Sequence, residues 1–388
     1  MMRLFCTICC SMILWCIGLP VTAGPWVQVS GYTKSLGVLQ AGKTSETIQT
    51  TNLWHNRINL KGRPIASFTL ALECRNRLFI GEELKENTWA AEQLDRDEGI
   101  VDLSFVWARR YPLLGHSRIE RMYFDWQQNH WELRIGRQRI NWGMNLTWNP
   151  NDVFNTFNFL DFDYEERAGS DAMKVVYHVN MFHFIEGAFS PSRDKEKMVG
   201  ALRFGGNSRG YDWQVIAGLY ERNIVVGGGW AGSIVEAGFK GEVSYFQEWT
   251  DRRFERIAVS ATVAVDYVFR GGWYVMGSVL YNNQAEDRLA GAGALVERRI
   301  TPRVLMPAKY SVLLQAEKEF NPALSGGVNV LYSPRINLLL ISPTIRYAVV
   351  NNWEIDLTGQ HFFAGERPAD FGSLAHVITL RARWSFGN

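Results

Sequence analysis

Cysteine is scarce over most of this 388-residue sequence. Four of its five cysteines lie at positions 6, 9, 10 and 16, and Cys74 is the only one that follows. If the first residues are removed, no intramolecular disulfide is possible. An exported chain of this size then needs another source of stability.

Long apolar runs and an excess of either charge are also missing. The longest uncharged stretches after residue 23, 223–235 and 271–285, are interrupted by Gly, Ser or Asn. Because a spanning helix needs about 20 mostly apolar residues, such helices are excluded there. With 41 Lys and Arg against 39 Asp and Glu, the balance argues against a nucleic-acid partner bound through a basic face. The 47% apolar content excludes a disordered chain.

The first 23 residues have the three parts of a secretory signal peptide. Arg3 supplies a cationic start, residues 4–19 are uncharged and mostly apolar, and Val-Thr-Ala at 21–23 offers small residues for cleavage. A membrane anchor is the alternative, but 16 residues are too few to span a bilayer. Lipoprotein processing at Cys16 is disfavoured by bulky Trp15 before it. We expect cleavage after residue 23, so that 24–388 is the mature domain.

What the sequence does contain is alternation with a period of two. In 257–269, Ile, Val, Ala, Tyr and Phe occupy the odd positions, and Ser, Thr and Asp stand at three of the even ones. Segments 67–79, 101–110 and 353–358 alternate in the same way. Because successive side chains of a strand point to opposite faces, each segment predicts a strand with one apolar and one polar face.

Three features favour a membrane barrel over a soluble sandwich. The segments run to about 10–14 residues, whereas globular strands average about 5–6 and membrane strands need about 9–11. Their polar faces carry large cations that suit a wet lumen, namely Arg75, Arg77, Arg110, Arg134 and Arg203. Aromatic residues lie near the strand ends, as at membrane interfaces: Trp26, Trp54, Tyr111, Trp126, Trp131, Trp213, Trp273, Tyr281 and Trp353.

The last segment, 378–386, alternates and ends on an aromatic residue, Phe386, with two residues after it. This ending resembles the C-terminal signal of bacterial outer-membrane barrels. Since every backbone polar group must be paired in lipid, the strands must close on themselves. We predict an all-β fold, a transmembrane antiparallel up-and-down β-barrel of about 16–18 strands. The long polar connections 41–51, 81–99 and 284–308 are expected outside. In 81–99, seven acids indicate either a solvated loop or a cation site.

One segment, 141–167, breaks the alternation. It follows a strand that starts near Leu133, and Asn149 before Pro150 has the pattern of a helix N-terminus. We therefore predict an inserted loop or short helix near 141–167.

The string GRQRINWG at 136–143, followed by NPNDVFN at 149–155 and an acidic stretch, resembles the outer-membrane porins of the alginate-export type and their uncharacterised relatives. The resemblance implies that the connection after this strand enters or caps the barrel. Polymer export by that family implies a strongly cationic lumen. Without Arg3 the mature chain would have 40 cations against 39 anions, so we do not expect export of a polyanion.

This segment supplies the candidate pore constriction. Arginines that face carboxylates would create a transverse field, and Trp142 and Trp148 with Asn and Asp side chains suit sugar rings. Alternatively, Arg137 and Arg139 pair with the acids at 161, 163 or 165 only to hold a loop against the wall. The candidate residues are Arg134, Arg137, Arg139, Asn141, Trp142, Trp148, Asp152, Asp161, Asp163, Glu165 and Arg167.

Neither a metal nor a cofactor nor an active site is predicted. The pattern Asp161-x-Asp163-x-Glu165 suggests a calcium loop. However, an EF-hand loop needs Gly at its sixth position and Glu at its twelfth, and this sequence has neither there. A barrel lipase needs a serine beside a histidine on a lipid-facing rim. Adjacent His116 and Ser117 point apart in a strand, and no HExxH, P-loop or GxSxG is present.

These observations predict a channel in the outer membrane of a Gram-negative bacterium. It would serve passive diffusion or export of small polar solutes, either saccharides or anions. Its partners would be outer-membrane lipid and the solute, as a monomer or a trimer. The alternatives are a non-conducting barrel that acts in surface adhesion or envelope assembly, and a barrel hydrolase. Bilayer conductance separates the first two.

Overall fold

Nineteen antiparallel strands dominate the structure, a computed structural model that describes residues 26–42, 48–81, 84, 90–97, 99–156, 169–249, 257–288, 300–365 and 371–387. In these ranges a helix, α1 (Ala90–Asp95), and 3-10 turns at Lys195–Lys197 and Pro334–Ile336 accompany them. The strands are β1 (Val27–Gly42), β2 (Gln49–Ile65), β3 (Phe68–Gly81), β4 (Ser104–Arg110), β5 (Leu113–Gln128), β6 (Trp131–Gln138), β7 (Ser170–His178), β8 (His183–Ser190), β9 (Val199–Ser208), β10 (Tyr211–Tyr220), β11 (Asn223–Ile234), β12 (Ala237–Glu248), β13 (Ile257–Val268), β14 (Trp273–Asn282), β15 (Tyr310–Asn321), β16 (Leu324–Ser333), β17 (Leu338–Val350), β18 (Trp353–Ala364) and β19 (Gly372–Phe386).

The sheet closes into a barrel because its first strand pairs with its last. β1 and β19 are antiparallel partners from Gly31 opposite Phe386 to Gly42 opposite Ala375. Eighteen strands form the wall, each paired with its neighbour in sequence apart from the step from β3 to β5. The extra strand, β4, pairs with the first part of β5, and β6 pairs with the remainder. The predicted transmembrane up-and-down barrel is confirmed, at the upper end of the predicted strand count.

The alternation of residue types gives the barrel wall an apolar outer face and a polar inner face. On β13, Val263 and Val265 are 41% and 47% exposed on the outside, whereas Ser260 and Thr262 are buried on the inside. Because lipid offers no hydrogen bonds, an apolar outer face on a closed ladder is the stable arrangement in a membrane. In the part of the chain that the structure describes, no helix is long and apolar enough to cross a membrane.

The two ends of the barrel differ in the length of their connections. At one end, β2 and β3 are joined through residues 66–67 and β9 and β10 through 209–210. We call this the short-turn end, and β1 begins and β19 ends there. The opposite, long-connection end carries 82–103, 139–169 and 283–309. In bacterial barrels short turns face the periplasm and long loops face outward.

Two of the long connections fold back into the barrel. Residues 139–156, the inserted segment, contain Trp148, which is buried with Leu305 and Met306 of the second connection against Met276 and Leu280 of the wall. The expectation that all of 284–308 lies outside is therefore wrong for residues 305–308, which are apolar enough to gain by burial. Of the loop and the short helix predicted near 141–167, residues 141–156 form the loop, with bends and turns and no helix.

Glycines on the wall make room for the inserted segment. Gly227 and Gly229 lie on β11, and a Cβ on the first would be 2.7 Å from the side-chain oxygen of Asn151. A larger residue at this position would push the segment off the wall. The glycine run of β11 therefore has a packing function that alternation alone does not reveal.

Candidate functional site

Glu242 of β12 is the main anchor of the inserted segment. Its Oε1 accepts hydrogen bonds from the backbone N–H groups of Met144 (2.5 Å) and Asn145 (2.6 Å), and its Oε2 accepts one from Asn151 (3.0 Å). The side chain is buried. One carboxylate thus satisfies three backbone donors that would otherwise be unpaired inside the barrel.

Neighbouring strands add further hydrogen bonds to the same segment. Gln214 of β10 donates to the carbonyl of Trp142 (2.5 Å), and Ser244 of β12 donates to the carbonyl of Pro150 (3.0 Å). The side chain of Asn145 donates to Thr262 of β13 (2.9 Å). The inserted segment is therefore fixed to the inner wall from β10 to β13.

The two tryptophans of the segment serve this attachment. Trp142 and Trp148 are each 1% exposed. The indole N–H of Trp142 donates to Glu186 of β8 (2.8 Å), and its ring meets Phe154 edge-on. The prediction that these rings offer faces to a sugar is wrong, because burial against the wall leaves no room for a solute.

Asp152 and Asn141 have opposite environments. Asp152 is fully buried, and its Oδ1 lies 3.5 Å from the backbone nitrogen of Trp142. Asn141 is exposed on the surface of the inserted segment, as is Leu146. Among the candidate residues of this segment that the structure describes, only Asn141 is therefore placed to meet a solute. Asp161, Asp163, Glu165 and Arg167 lie outside the described residues.

Arg137 lies between two carboxylates. Its Nη1 is 2.6 Å from Oδ2 of Asp97, its Nε is 2.7 Å from Oδ1 of Asp171, and Nη2 donates to the carbonyl of Val101 (2.8 Å). These contacts tie the connection before β4 to β6 and β7. Arg137 thus has a scaffolding contact, with partners other than the acids at 161–165 that the sequence offered. Its charge is balanced locally.

Asp97, in the connection between β3 and β4, is held ionised by this arrangement. Burial by itself raises the pKa of its carboxyl, but hydrogen bonds from Arg137, Gly99 and Leu103 outweigh burial and lower the pKa. Because the folded pKa is depressed, the carboxylate stabilises the fold above its unfolded pKa of about 3.9. This stabilisation is lost as pH falls through the lower, folded value.

We expect Asp97→Asn to lower the free energy of unfolding by about 1–3 kcal/mol near neutral pH. The deficit against the parent protein should shrink below about pH 4, where the carboxyl protonates first in the unfolded parent and the advantage of the folded carboxylate declines. Denaturant unfolding of the barrel in detergent, followed by tryptophan fluorescence from pH 3 to 7, measures both quantities.

The matched control is Glu196→Gln. Glu196 pairs with Arg222 on the surface, where both side chains are about half exposed, so its loss should cost less than about 1 kcal/mol. Equal losses in the two variants, or a deficit at Asp97 that does not change with pH, would contradict the assigned role.

Arg134 and Arg139 line the inside of the barrel. Arg134 pairs with Asp125 of β5 (2.5 Å) and lies over the ring of Tyr123 at 4.5 Å. Arg139, just after β6, lies close enough to Arg121 of β5 to interact with it electrostatically. Arg139 thus lies near a second arginine, and Arg134 lies opposite Lys174 of β7.

A cationic wall covers the inner face of five adjacent strands. Across neighbouring strands, Lys34 lies directly opposite Arg383, and Arg75 lies opposite both Arg57 and Arg118. Among the described residues, four carboxylates ion-pair with members of the wall: Glu73, Glu120, Glu354 and Asp356. The members of the wall are Lys34 of β1, Arg57 of β2, Arg75 and Arg77 of β3, Arg118 and Arg121 of β5, and Arg381 and Arg383 of β19.

Such an arrangement is unfavourable for folding alone. Like charges directly opposite one another on a sheet destabilise it, and this wall holds Lys34 opposite Arg383 and Arg75 opposite both Arg57 and Arg118. The wall is therefore the strongest indication of function inside the barrel.

Two cavities lie at the ends of this wall. One, of about 500 Å³, lies at the long-connection end and is lined by Arg118, Phe154, Thr156 and Tyr220. The other, of about 280 Å³, lies against β15–β19 and is lined by residues that include Arg381. In strand order the wall runs from Arg381, which lines the second cavity, to Arg118, which lines the first.

The sequence contained a signal for this wall that the candidate set missed. Arg75-x-Arg77 and Arg381-x-Arg383 place cations on one face of their strands. The near-zero net charge of the chain does not reveal the cationic wall, because acids and bases lie on different surfaces. A chain with no cationic excess overall thus has a local excess of cations on this wall. Among the described residues, no group of three or more His, Cys, Asp or Glu could hold a metal ion.

No protein-family model matches the chain, and no curated protein matches it in sequence. Solved structures do match. OccK5 (OpdH) of Pseudomonas aeruginosa aligns at a TM-score of 0.59 and 8% identity over 94% of this chain and 100% of its own. OccAB4 of Acinetobacter baumannii aligns at 0.59 and 8% over 95% and 100%, and OccK9 (OpdG) of P. aeruginosa at 0.59 and 9% over 93% and 98%.

None of these findings indicates the alginate-export type that the 136–155 strings resemble. The match extends over nearly the whole length of both chains, although only 8–9% of the residues are identical. The chain is therefore similar in fold to the Occ barrels.

Proposed function

We propose that this chain is an outer-membrane channel for small polar solutes, with anions favoured over saccharides. The single observation that carries the proposal is the cationic wall, where Arg57, Arg75 and Arg118 lie opposite one another on three neighbouring strands. A row of fixed positive charge raises the local concentration of anions and stabilises them during passage.

The inserted segment is the constriction in this proposal. It occupies the side of the barrel formed by β10–β13 and leaves the solute a path along the cationic wall. Asn141, exposed on the segment, and Arg139, next to Arg121, would face that path. Arg134 and Arg137, which are each paired with carboxylates, hold the wall and the connections in place.

The fold and the apolar outer face also support a cellular location. The Occ barrels with this fold are outer-membrane porins, and an apolar outer face suits lipid. We propose that residues 1–23 direct export and are removed, and that residues 24–388 insert into the outer membrane of a Gram-negative bacterium. Neither a monomer nor a trimer is favoured by the described contacts.

Single-channel recording tests the proposal. The purified barrel, added to a planar bilayer under a KCl gradient, should give discrete conductance steps and a reversal potential that indicates preference for chloride. If a correctly folded barrel gives no steps, the channel is refuted and the non-conducting alternative is favoured. Steps with a preference for potassium would refute the anion preference alone.

A further inference from the structure

We infer that the outer face of the barrel carries a second, independent site, at which Ser373, His376 and His361 hydrolyse acyl esters of amphiphiles. Ser373 Oγ lies 2.7 Å from Nε2 of His376, and Nδ1 of His376 lies 3.0 Å from Nδ1 of His361. The serine hydroxyl contacts one nitrogen of the His376 imidazole, and His361 contacts the other nitrogen of the same ring. An activated serine has this arrangement.

The three residues face lipid, away from the channel. His361 and His376 are opposite each other on β18 and β19, next to the pair Phe362 and Ala375. Phe362 and Ala375 are buried inside the barrel, so by alternation the histidines point outward. Ser373 is exposed. The site is therefore open to the membrane rather than to the lumen.

The height of the site matches a membrane interface. From His376 down to Phe386 the strand runs ten residues, which at about 3.4 Å each and a tilt of about 40° span about 25 Å along the membrane normal. The apolar band of such barrels is about 25 Å tall and has aromatic residues at both edges. Phe363 packs on His376, and Phe371 meets Tyr332 nearby.

A second serine–histidine pair in the structure shows what the arrangement needs. His116 Nε2 lies 2.8 Å from Ser104 Oγ, but Nη2 of Arg77 lies 3.2 Å from Nδ1. Because arginine only donates, Nδ1 of His116 accepts and Nε2 carries the proton, so His116 is unable to take one from Ser104. His376 has another imidazole in place of an arginine. Its Nδ1–H donates to His361, and Nε2 is left free to accept the proton of Ser373.

The reaction that this arrangement supports is ester hydrolysis in two steps. Ser373 Oγ attacks the acyl carbon while its proton passes to Nε2 of His376, and that proton then goes to the departing alcohol as the ester C–O bond breaks. Water attacks the acyl-serine with His376 again as base, and this releases the fatty acid and restores the hydroxyl. An acyl chain of the substrate would lie along the apolar outer wall, which places its ester at the interface.

Hydrolysis of p-nitrophenyl octanoate by the full-length barrel in detergent micelles tests the inference, together with labelling by a fluorophosphonate probe. We expect the probe on Ser373, found by mass spectrometry, and a rate that falls about 10²-fold or more in Ser373→Ala and His376→Ala. His361 is a positioning residue: His361→Phe should lose about tenfold, and His361→Asn, which restores an acceptor for Nδ1–H, should recover most of it.

The matched control is Ser35→Ala. Ser35 lies on the outer face of β1, and its partners across the strands are Trp54 and Ala382 rather than histidine, so the rate should not change. No labelling of Ser373 in a folded barrel, or equal rates in Ser373→Ala and the parent, overturns the inference. Channel conductance should be the same in all these variants, so the test of the hydrolytic site is independent of the test of the channel.

Discussion

Replacing Glu242 with alanine is expected to free the inserted segment and to raise single-channel conductance about twofold or more. The change removes the acceptor of three backbone hydrogen bonds, from Met144, Asn145 and Asn151. Each hydrogen bond to a charged group contributes about 1.5–3 kcal/mol, so the segment loses its main attachment to β12. Recordings in a planar bilayer measure the change directly.

Two further variants make this result interpretable. Glu242→Gln keeps one acceptor oxygen and should fall between the parent and the alanine variant. Glu317→Ala removes a carboxylate that lines the 280 Å³ cavity. Because a single charge acts weakly across a wet lumen, this variant should keep its conductance within about twofold of the parent value. If folded Glu242→Ala barrels conduct like the parent, the inserted segment does not limit the pore.

Reversing charge on the cationic wall is expected to invert ion selectivity. In the double variant Arg75→Glu with Arg121→Glu, two charges change sign and the net charge at mid-wall falls by four elementary charges. One unit charge at 4 Å in water contributes about 1 kcal/mol, and 1.4 kcal/mol is a tenfold ratio. We expect the chloride-to-potassium permeability ratio to change by at least about tenfold and to favour potassium. Reversal potentials under a KCl gradient give this ratio.

The control makes the same change of charge away from the lumen. Arg209→Glu with Arg270→Glu alters two exposed arginines on short turns, and selectivity should shift little because exposed charges there are screened. If the reversed wall does not fold, Arg75→Gln with Arg121→Gln should still lower the preference for chloride. An unchanged ratio in folded barrels would remove the wall from the solute path.

Most of the fold was predictable because a strand has a period of two. The alternation in 257–269 predicted β13 and its outer face, and the closing strand ending at Phe386 predicted the seam with β1. The segment 101–110 shows the limit. It alternates like a wall strand, but β4 pairs only with the first part of β5, a matter of register that alternation leaves open.

The site was predictable only in part. The sequence located the inserted segment, since 141–156 lacks any strand pattern. It also suggested a scaffolding role for Arg137, although the partners Asp97 and Asp171 lie 40 and 34 residues away along the chain. Trp142 and Trp148 looked like solute contacts, because residue type alone does not tell which side of a loop meets the wall.

The sequence by itself determined that this chain is a closed membrane barrel, because alternation over long segments has one stable solution in lipid. Only the tertiary structure decided where the charges lie. A chain with nearly equal acids and bases gathers Arg57, Arg75 and Arg118 on one wall, and it brings Ser373 next to His376 through a local irregularity in β19. The reason is physical: composition counts charges, whereas the field and the chemistry depend on distances that the register of distant strands sets.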